Sequence, residues 1–223
     1  MEEKGLNARQ LKLVGCISMI FSHTGIIFYP LQVWWQIPGR IAMPIFAFMI
    51  ASGARYSNNV WKYLARLLVF AILIQYPYSV FLANGYLNIC FTLGLGLAAI
   101  IAWQSENNYY VRLAIVAAVG LAAELIGAEY GCYGILMIFF SHIFFEHKGK
   151  LAISWLIINS YLLWQFVSSL LKGSYYPQVQ GLCLLALPFI LLFNGKRGGG
   201  SRWEFYAFYI GHLAILFMLR KLI

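Results

Sequence analysis

Residues 11–29 read LKLVGCISMIFSHTGIIFY. The stretch is apolar almost throughout, and Lys12 and His23 are its only basic side chains. A helix needs about 20 mainly apolar residues to cross the hydrocarbon core of a bilayer, with a range of about 17–25. This stretch meets that length. Its apolar run is continuous rather than alternating, which selects a helix over a barrel strand. It is too long for a cleaved signal segment, and no small-residue cleavage site follows it. Tyr29, Pro30 and the pair Trp34–Trp35 come next, residues suited to a membrane interface.

Working outward, the same pattern recurs at 38–55, 63–82, 87–104, 110–127, 131–145, 150–171, 178–194 and 204–221, which makes nine candidate spans. The composition agrees. Of 223 residues, 62% are hydrophobic and only 10% charged, whereas a soluble domain is about 45–50% apolar and about 25% charged. A soluble globule of this length has too little interior for so many apolar side chains. The predicted fold class is all-α: a polytopic integral membrane helical bundle of about nine transmembrane helices, forming a single domain over residues 1–223.

The net charge of +9 belongs to loops rather than to a nucleic-acid surface. With the N-terminus in the cytoplasm, inner segments hold Lys4, Arg9, Lys12, Arg55, Lys62, Arg66, Arg112, Lys148, Lys150, Lys196, Arg197 and Arg202. Outer segments hold only Arg40, Lys172, Arg220 and Lys221. That asymmetry predicts a cytoplasmic N-terminus. Cys16, Cys90, Cys132 and Cys183 form no CxxC pair and sit among apolar neighbours, so they read as small hydrophobes. No metal site, P-loop or dinucleotide fingerprint is expected; the Gly94-Leu95-Gly96 run lies within an apolar span. The segment from Asn194 to Arg202, with Gly198–Gly200, reads as a flexible inner loop.

Ionisable groups inside spans are costly, so each is a candidate for function. Lys12 and His23 are eleven residues apart, about 16 Å of helical rise and close to a whole number of turns, so they share one face. A cation at the cytoplasmic end with an imidazole deeper in suits a long, phosphate-bearing donor. The alternative is a Lys12 that snorkels and a His23 that bonds a neighbouring helix. Arg55, Lys62 and Arg66 form an inner basic cluster that either extends a phosphate grip or sets topology. Arg40 opens the second span in Pro38-Gly39-Arg40; it either steadies an acceptor carbonyl or carboxylate, or pairs with Glu129 as structure. Glu124 and Glu129 lie near the outer end of the fifth span, where a carboxylate would orient the His23 imidazole. His212 is the second intramembrane histidine, a site residue or a packing one.

Six stretches spread along the chain, LKLVGCISMIFSHTG, PGRIAMPIFAFMIASGARYS, KYLARLLVFAILIQYPY, LNICFTLGLG, AEYGCYGIL and FYAFYIGHL, together resemble the TraX family, membrane proteins named for pilin N-acetylation. That family looks related to the acyltransferase type-three membrane enzymes, whose first span carries a basic residue, ten spacers and a His. Lys12 to His23 has that spacing. The resemblance implies a basic residue serving a cytosolic acyl-CoA donor and a His serving acyl transfer. Two positions depart from the family pattern. Ser22 stands where an Asp usually precedes the His, and Glu129 opens the acidic-Tyr-Gly segment in place of Asp. The orienting role would then fall to Ser22, Glu124 or Glu129.

The expectation is therefore an integral-membrane O- or N-acyltransferase of a bacterial inner or plasma membrane. Acetyl-CoA or another acyl-CoA, as co-substrate, enters at Lys12, Arg55, Lys62 and Arg66. His23 is the base or a transient acyl carrier, with Ser22, Glu124, Glu129 and His212 as further candidates. Arg40 stabilises the oxyanion or holds the acceptor. The acceptor is an amine or hydroxyl on a peptide, a glycan or a lipid-linked group. The other partner is the lipid bilayer; nucleic acid is not expected. A small transporter, flippase or export subunit without covalent chemistry is the alternative, and a purely structural subunit the third reading.

Overall fold

A computed structural model describes residues 5–82, 85–174, 177–201 and 203–222. Lys4 and Arg202, both counted among the inner charges, lie outside them. The helices are α1 (Ala8–Phe28), α2 (Ala42–Tyr56), α3 (Val60–Leu82), α4 (Ile89–Ser105), α5 (Tyr109–Leu125), α6 (Gly131–Ile143), α7 (Lys148–Leu171), α8 (Leu187–Leu191) and α9 (Glu204–Leu222). Two 3-10 turns, Val33–Gln36 and Pro38–Ile41, lead into α2, and a third, Val179–Ala186, leads into α8. Among the described residues no strand extends beyond two isolated bridges.

Each of the nine expected spans falls on a helical segment. Five of them, Ala8–Phe28, Val33–Tyr56, Val60–Leu82, Lys148–Leu171 and Glu204–Leu222, are long and apolar enough to cross a membrane. Ile89–Ser105, Gly131–Ile143 and Val179–Leu191 are apolar but shorter. Their ends are fixed by local chemistry. The Asn88 side chain caps α4 by accepting from the Cys90 amide at 3.0 Å. Asn108 caps α5 by accepting from the Tyr110 amide at 2.9 Å. Asparagine at these positions satisfies amides that the helix itself leaves open. Tyr130 and Gly131, both at positive φ, turn the chain sharply into α6.

The chain divides into two compact units, one of residues 1–46 and 152–223, the other of residues 47–151. In the first unit α1 is two-faced. Leu11, Gly15, Ser18, Met19 and His23 are buried, while Leu13, Ile17, Ile20 and Phe21 are exposed. An outward face made of large apolar side chains suits lipid, not water. The start of α1 is closed by a capping box, in which Asn7 and Gln10 exchange hydrogen bonds of 3.0 Å each. The glycine-containing segment after α8 runs alongside. Leu6 N–H donates to Leu192 O, Ala8 N–H to Lys196 O and Arg9 N–H to Arg197 O, at 2.7, 2.8 and 3.2 Å. The expected flexible loop is thus pinned to α1, with Gly198 and Gly200 taking left-handed backbone against Asn7 and Arg9.

In the second unit, α4, α5 and α6 share an apolar core of Ala99, Val116, Ala123, Ala128, Ile135 and Phe139. A polar knot fastens α3 to α4. Asn88, fully buried, donates through Nδ2 to Ala71 O and to Gln75 Oε1, each at 2.8 Å, and through its backbone N–H to the same Gln75 oxygen at 2.9 Å. Asn88→Leu removes the side-chain bonds to the Ala71 and Gln75 oxygens and to the Cys90 amide, and keeps only the backbone N–H bond to Gln75. It should destabilise the protein by about 1–3 kcal/mol, read as a lowered unfolding midpoint in detergent; an unchanged midpoint would contradict the structural role assigned to this knot.

Candidate functional site

Two histidines from opposite ends of the chain meet inside the first unit. His23 on α1 and His212 on α9 are both buried. His23 Nδ1 lies 2.7 Å from His212 Nε2, and the two rings are within 9° of parallel. His212 Nδ1 lies 2.9 Å from the Phe208 carbonyl oxygen. Phe208 stacks on the His212 ring with centroids 4.7 Å apart.

These contacts fix the tautomers. A carbonyl oxygen only accepts, so His212 Nδ1 carries a hydrogen. In neutral His212, Nε2 is then an acceptor, and the hydrogen between the rings belongs to His23 Nδ1. His23 Nε2 is left with a lone pair. The line Phe208, His212, His23 therefore presents a basic nitrogen at its end, with the ring orientation set from behind. Orienting an imidazole through its second nitrogen is the arrangement that general bases use. A proton taken up at His23 Nε2 disturbs neither hydrogen bond.

The segment after α1 packs onto this site. Gly39 leaves no room for a side chain, because a Cβ there would run into Ser22. Ser22, one residue before His23, is thus used as a close-contact surface for the turn that carries Arg40. Ser18 Oγ donates to Pro38 O at 2.6 Å and holds the same turn. Arg40 Nη1 donates to Gln180 Oε1 at 3.1 Å, and Nη2 donates to Gln36 Oε1. Arg40 Nε and Gln180 Nε2 are buried without a partner among the described residues. Leaving such donors unmet costs about 1–3 kcal/mol each.

At the other end of α1, Lys12 Nζ sits 5.1 Å from the centre of the Phe205 ring, and Arg197 acts on it as a nearby like charge. A carboxylate in this region is engaged: Glu204 accepts from Arg9 Nε at 3.1 Å and Nη2 at 3.2 Å. Among the described residues, no carboxylate pairs with Lys12 or Arg197.

The remaining sequence candidates lie in the second unit. Arg55 pairs with Glu146 at 2.7 Å and lies over Phe145. Arg66 lies over Tyr63, and Lys62 is exposed. Glu124 Oε2 accepts from the Cys132 amide at 3.0 Å, at the start of α6. Glu129 accepts from Tyr78 OH at 2.9 Å, and its carbonyl accepts from Thr92 Oγ1. Both glutamates thus serve the turn between α5 and α6. Sequence reasoning named His23, His212, Arg40 and Lys12, but not the His23–His212 bond, nor Gln36, Gln180 and Arg197. The available signal was that a second imidazole, and a glutamine within the apolar stretch 178–194, each need a partner in hydrocarbon.

Residues 7–220 match the family described as TraX protein. The chain is 28% identical to the probable fimbrial assembly protein FimC, serogroup H1, of Dichelobacter nodosus, covering 94% of each chain. It is 26% identical to protein TraX of Escherichia coli, covering 94% of this chain and 85% of that one. No solved structure matches.

The tautomers are directly measurable. Nitrogen-15 NMR of histidine-labelled protein should show Nδ1–H with an unprotonated Nε2 at both His23 and His212. His212→Phe should release His23 into a mixture of tautomers. Nε2–H at His23 in the wild type would overturn the assignment.

Proposed function

Because the chain belongs to the TraX family, we propose that it is an integral-membrane O- or N-acyltransferase that moves an acyl group, acetyl foremost, from cytosolic acyl-CoA to an amine or hydroxyl acceptor. The observation that carries this reading is the line from the Phe208 carbonyl through His212 to His23, which leaves His23 Nε2 as an oriented base. His23 Nε2 takes the proton of the acceptor N–H or O–H as that atom attacks the thioester carbon. The new C–N or C–O bond forms, the C–S bond breaks, and the proton passes from His23 to the departing thiolate. His212 is a positioning residue in this scheme. The positive charge on the dyad during transfer is spread away from the reacting atoms by two hydrogen bonds that need not rearrange.

Donor binding falls to the cytoplasmic end of α1 in this reading. Lys12 and Arg197, whose carbonyl accepts from the Arg9 amide at 3.2 Å, both lie at this end of α1 without a carboxylate paired to them among the described residues, and phosphate groups supply a counter-charge. Arg55, Lys62 and Arg66 are secondary candidates for the same donor. Arg55 already has Glu146 as a partner, which makes Lys12 and Arg197 the better pair. The name of one relative, a fimbrial assembly protein, directs the acceptor towards a fimbrial subunit, and the apolar helices support a place in a bacterial inner or plasma membrane.

Calorimetry on detergent-purified protein should find saturable acetyl-CoA binding that free CoA displaces. Lys12→Ala should weaken it about tenfold or more, equivalent to about 1.4 kcal/mol. His23→Ala should retain that binding and lower transfer of labelled acetyl into membrane fractions by about 10²–10⁴. A folded wild type that binds no acyl-CoA would favour a transporter or export subunit, and full transfer by folded His23→Ala would end the base assignment.

A further inference from the structure

Arg40 is a charged group with an incomplete set of partners. Its guanidinium stays ionised in any protein setting. Here it is held by two neutral side-chain amides, Gln36 and Gln180. Among the described residues no carboxylate pairs with it. Its Nε–H is buried with nothing to bond, and so is the amide nitrogen of Gln180, the same glutamine whose oxygen accepts from Nη1. Of three buried side-chain atoms without partners among the described residues, two belong to this one contact. Native interiors rarely leave adjacent donors unmet, and a cluster of them calls for a missing acceptor.

We propose that Arg40 and Gln180 form a carboxylate-binding site, and that the carboxylate belongs to the acceptor. The charge count selects this ligand class. One guanidinium beside two neutral amides is balanced by a single negative charge, whereas a phosphate dianion would need a second cation. A carboxylate also has lone pairs for both open donors and fits the planar fork of arginine. The site is built on irregular backbone, the 3-10 turns Val33–Gln36, Pro38–Ile41 and Val179–Ala186. It is tied to the catalytic base through Gly39, which rests on Ser22 next to His23. A carboxylate held at Arg40 would place the rest of the acceptor along α1 beside His23. Identification of the ligand as the acceptor rests on the acyl-transfer reading; the carboxylate site itself does not.

The test uses the full chain in detergent, with N-acetylalanine as the carboxylate probe and N-acetylalaninamide as its neutral match. N-acetylalanine should raise the wild-type melting temperature by several degrees and the amide should not. Gln180→Glu supplies a carboxylate from within. It should raise the melting temperature without ligand and abolish the response to N-acetylalanine. Arg40→Gln, which removes the charge, should also lose that response. Equal shifts from both probes, no shift from either, or a shift from inorganic phosphate alone would overturn the proposal. So would a Gln180→Glu protein that still responds to N-acetylalanine. None of these readings involves acyl-CoA. Loss of acetyl-CoA binding would therefore fail the transfer reading alone, leaving the carboxylate site standing.

Discussion

In hydrocarbon a polar group has no water to fall back on, so every imidazole, amide and hydroxyl within a span must find its partner in the protein. The placement of α1 in its unit answers to that requirement. His23 reaches His212 across 189 residues of sequence. Ser18 takes the Pro38 carbonyl. Asn159 takes the Trp155 carbonyl and accepts from the Cys183 thiol at 3.0 Å. Apolar contacts hold these helices together, but Leu and Ile packing is tolerant of small rotations. The polar pairs are not, since a hydrogen bond is lost within a fraction of an ångström and a few tens of degrees. They therefore decide which face of α1 turns inward, and with it where the His23 imidazole lies.

How far this was legible in sequence depends on the range of the information. Among the described residues the nine helical segments follow from local runs of apolar residues, and each run has a helix on it. The crossing length of the shorter ones was not legible from hydropathy. The start of α4 is decided by the cap at Asn88, the start of α5 by Asn108, and the start of α6 by the left-handed turn at Tyr130 and Gly131. The shared face of Lys12 and His23 follows from the 3.6-residue period alone. The partner of His23 does not, because nothing in a linear pattern selects α9 over any other helix. Depth suggested Glu124 or Glu129 as the orienting group. Glu124 accepts from the Cys132 amide and Glu129 from Tyr78, both at the turn between α5 and α6.

The segment 194–201 teaches the complementary lesson about composition. Three consecutive glycines read as a tether, because glycine loses the most freedom on ordering. The same freedom lets the segment lie flat on the start of α1. Gly198 and Gly200 take conformations in which a Cβ would run into Asn7, Arg9 or Glu204. The carbonyls of Lys196 and Arg197 then accept from the first amides of α1. Order here comes from backbone bonding that a compositional reading cannot see, and it brings Arg197 to the start of α1, against Arg9.

Pro38–Ile41 and Val179–Ala186 are 3-10 segments within stretches, 38–55 and 178–194, read as continuous spans, and a further 3-10 turn, Val33–Gln36, precedes the first of them. Irregular backbone at membrane depth is tolerated only where protein or a wet cavity supplies its partners. In discontinuous helices of membrane proteins, such breaks are where polar ligands are met. Here the breaks carry Gln36, Arg40 and Gln180, and at the last two the donors outnumber the acceptors. A regular helix through 33–56 would bond every backbone amide internally, but it would also set Gln36 and Arg40 into the ordinary i, i+4 register of one helix face. The 3-10 turns trade that regularity for the contact of Gly39 on Ser22. The break in the helix and the shortage of acceptors thus meet in one segment, shaped to lean on Ser22, the residue that precedes His23.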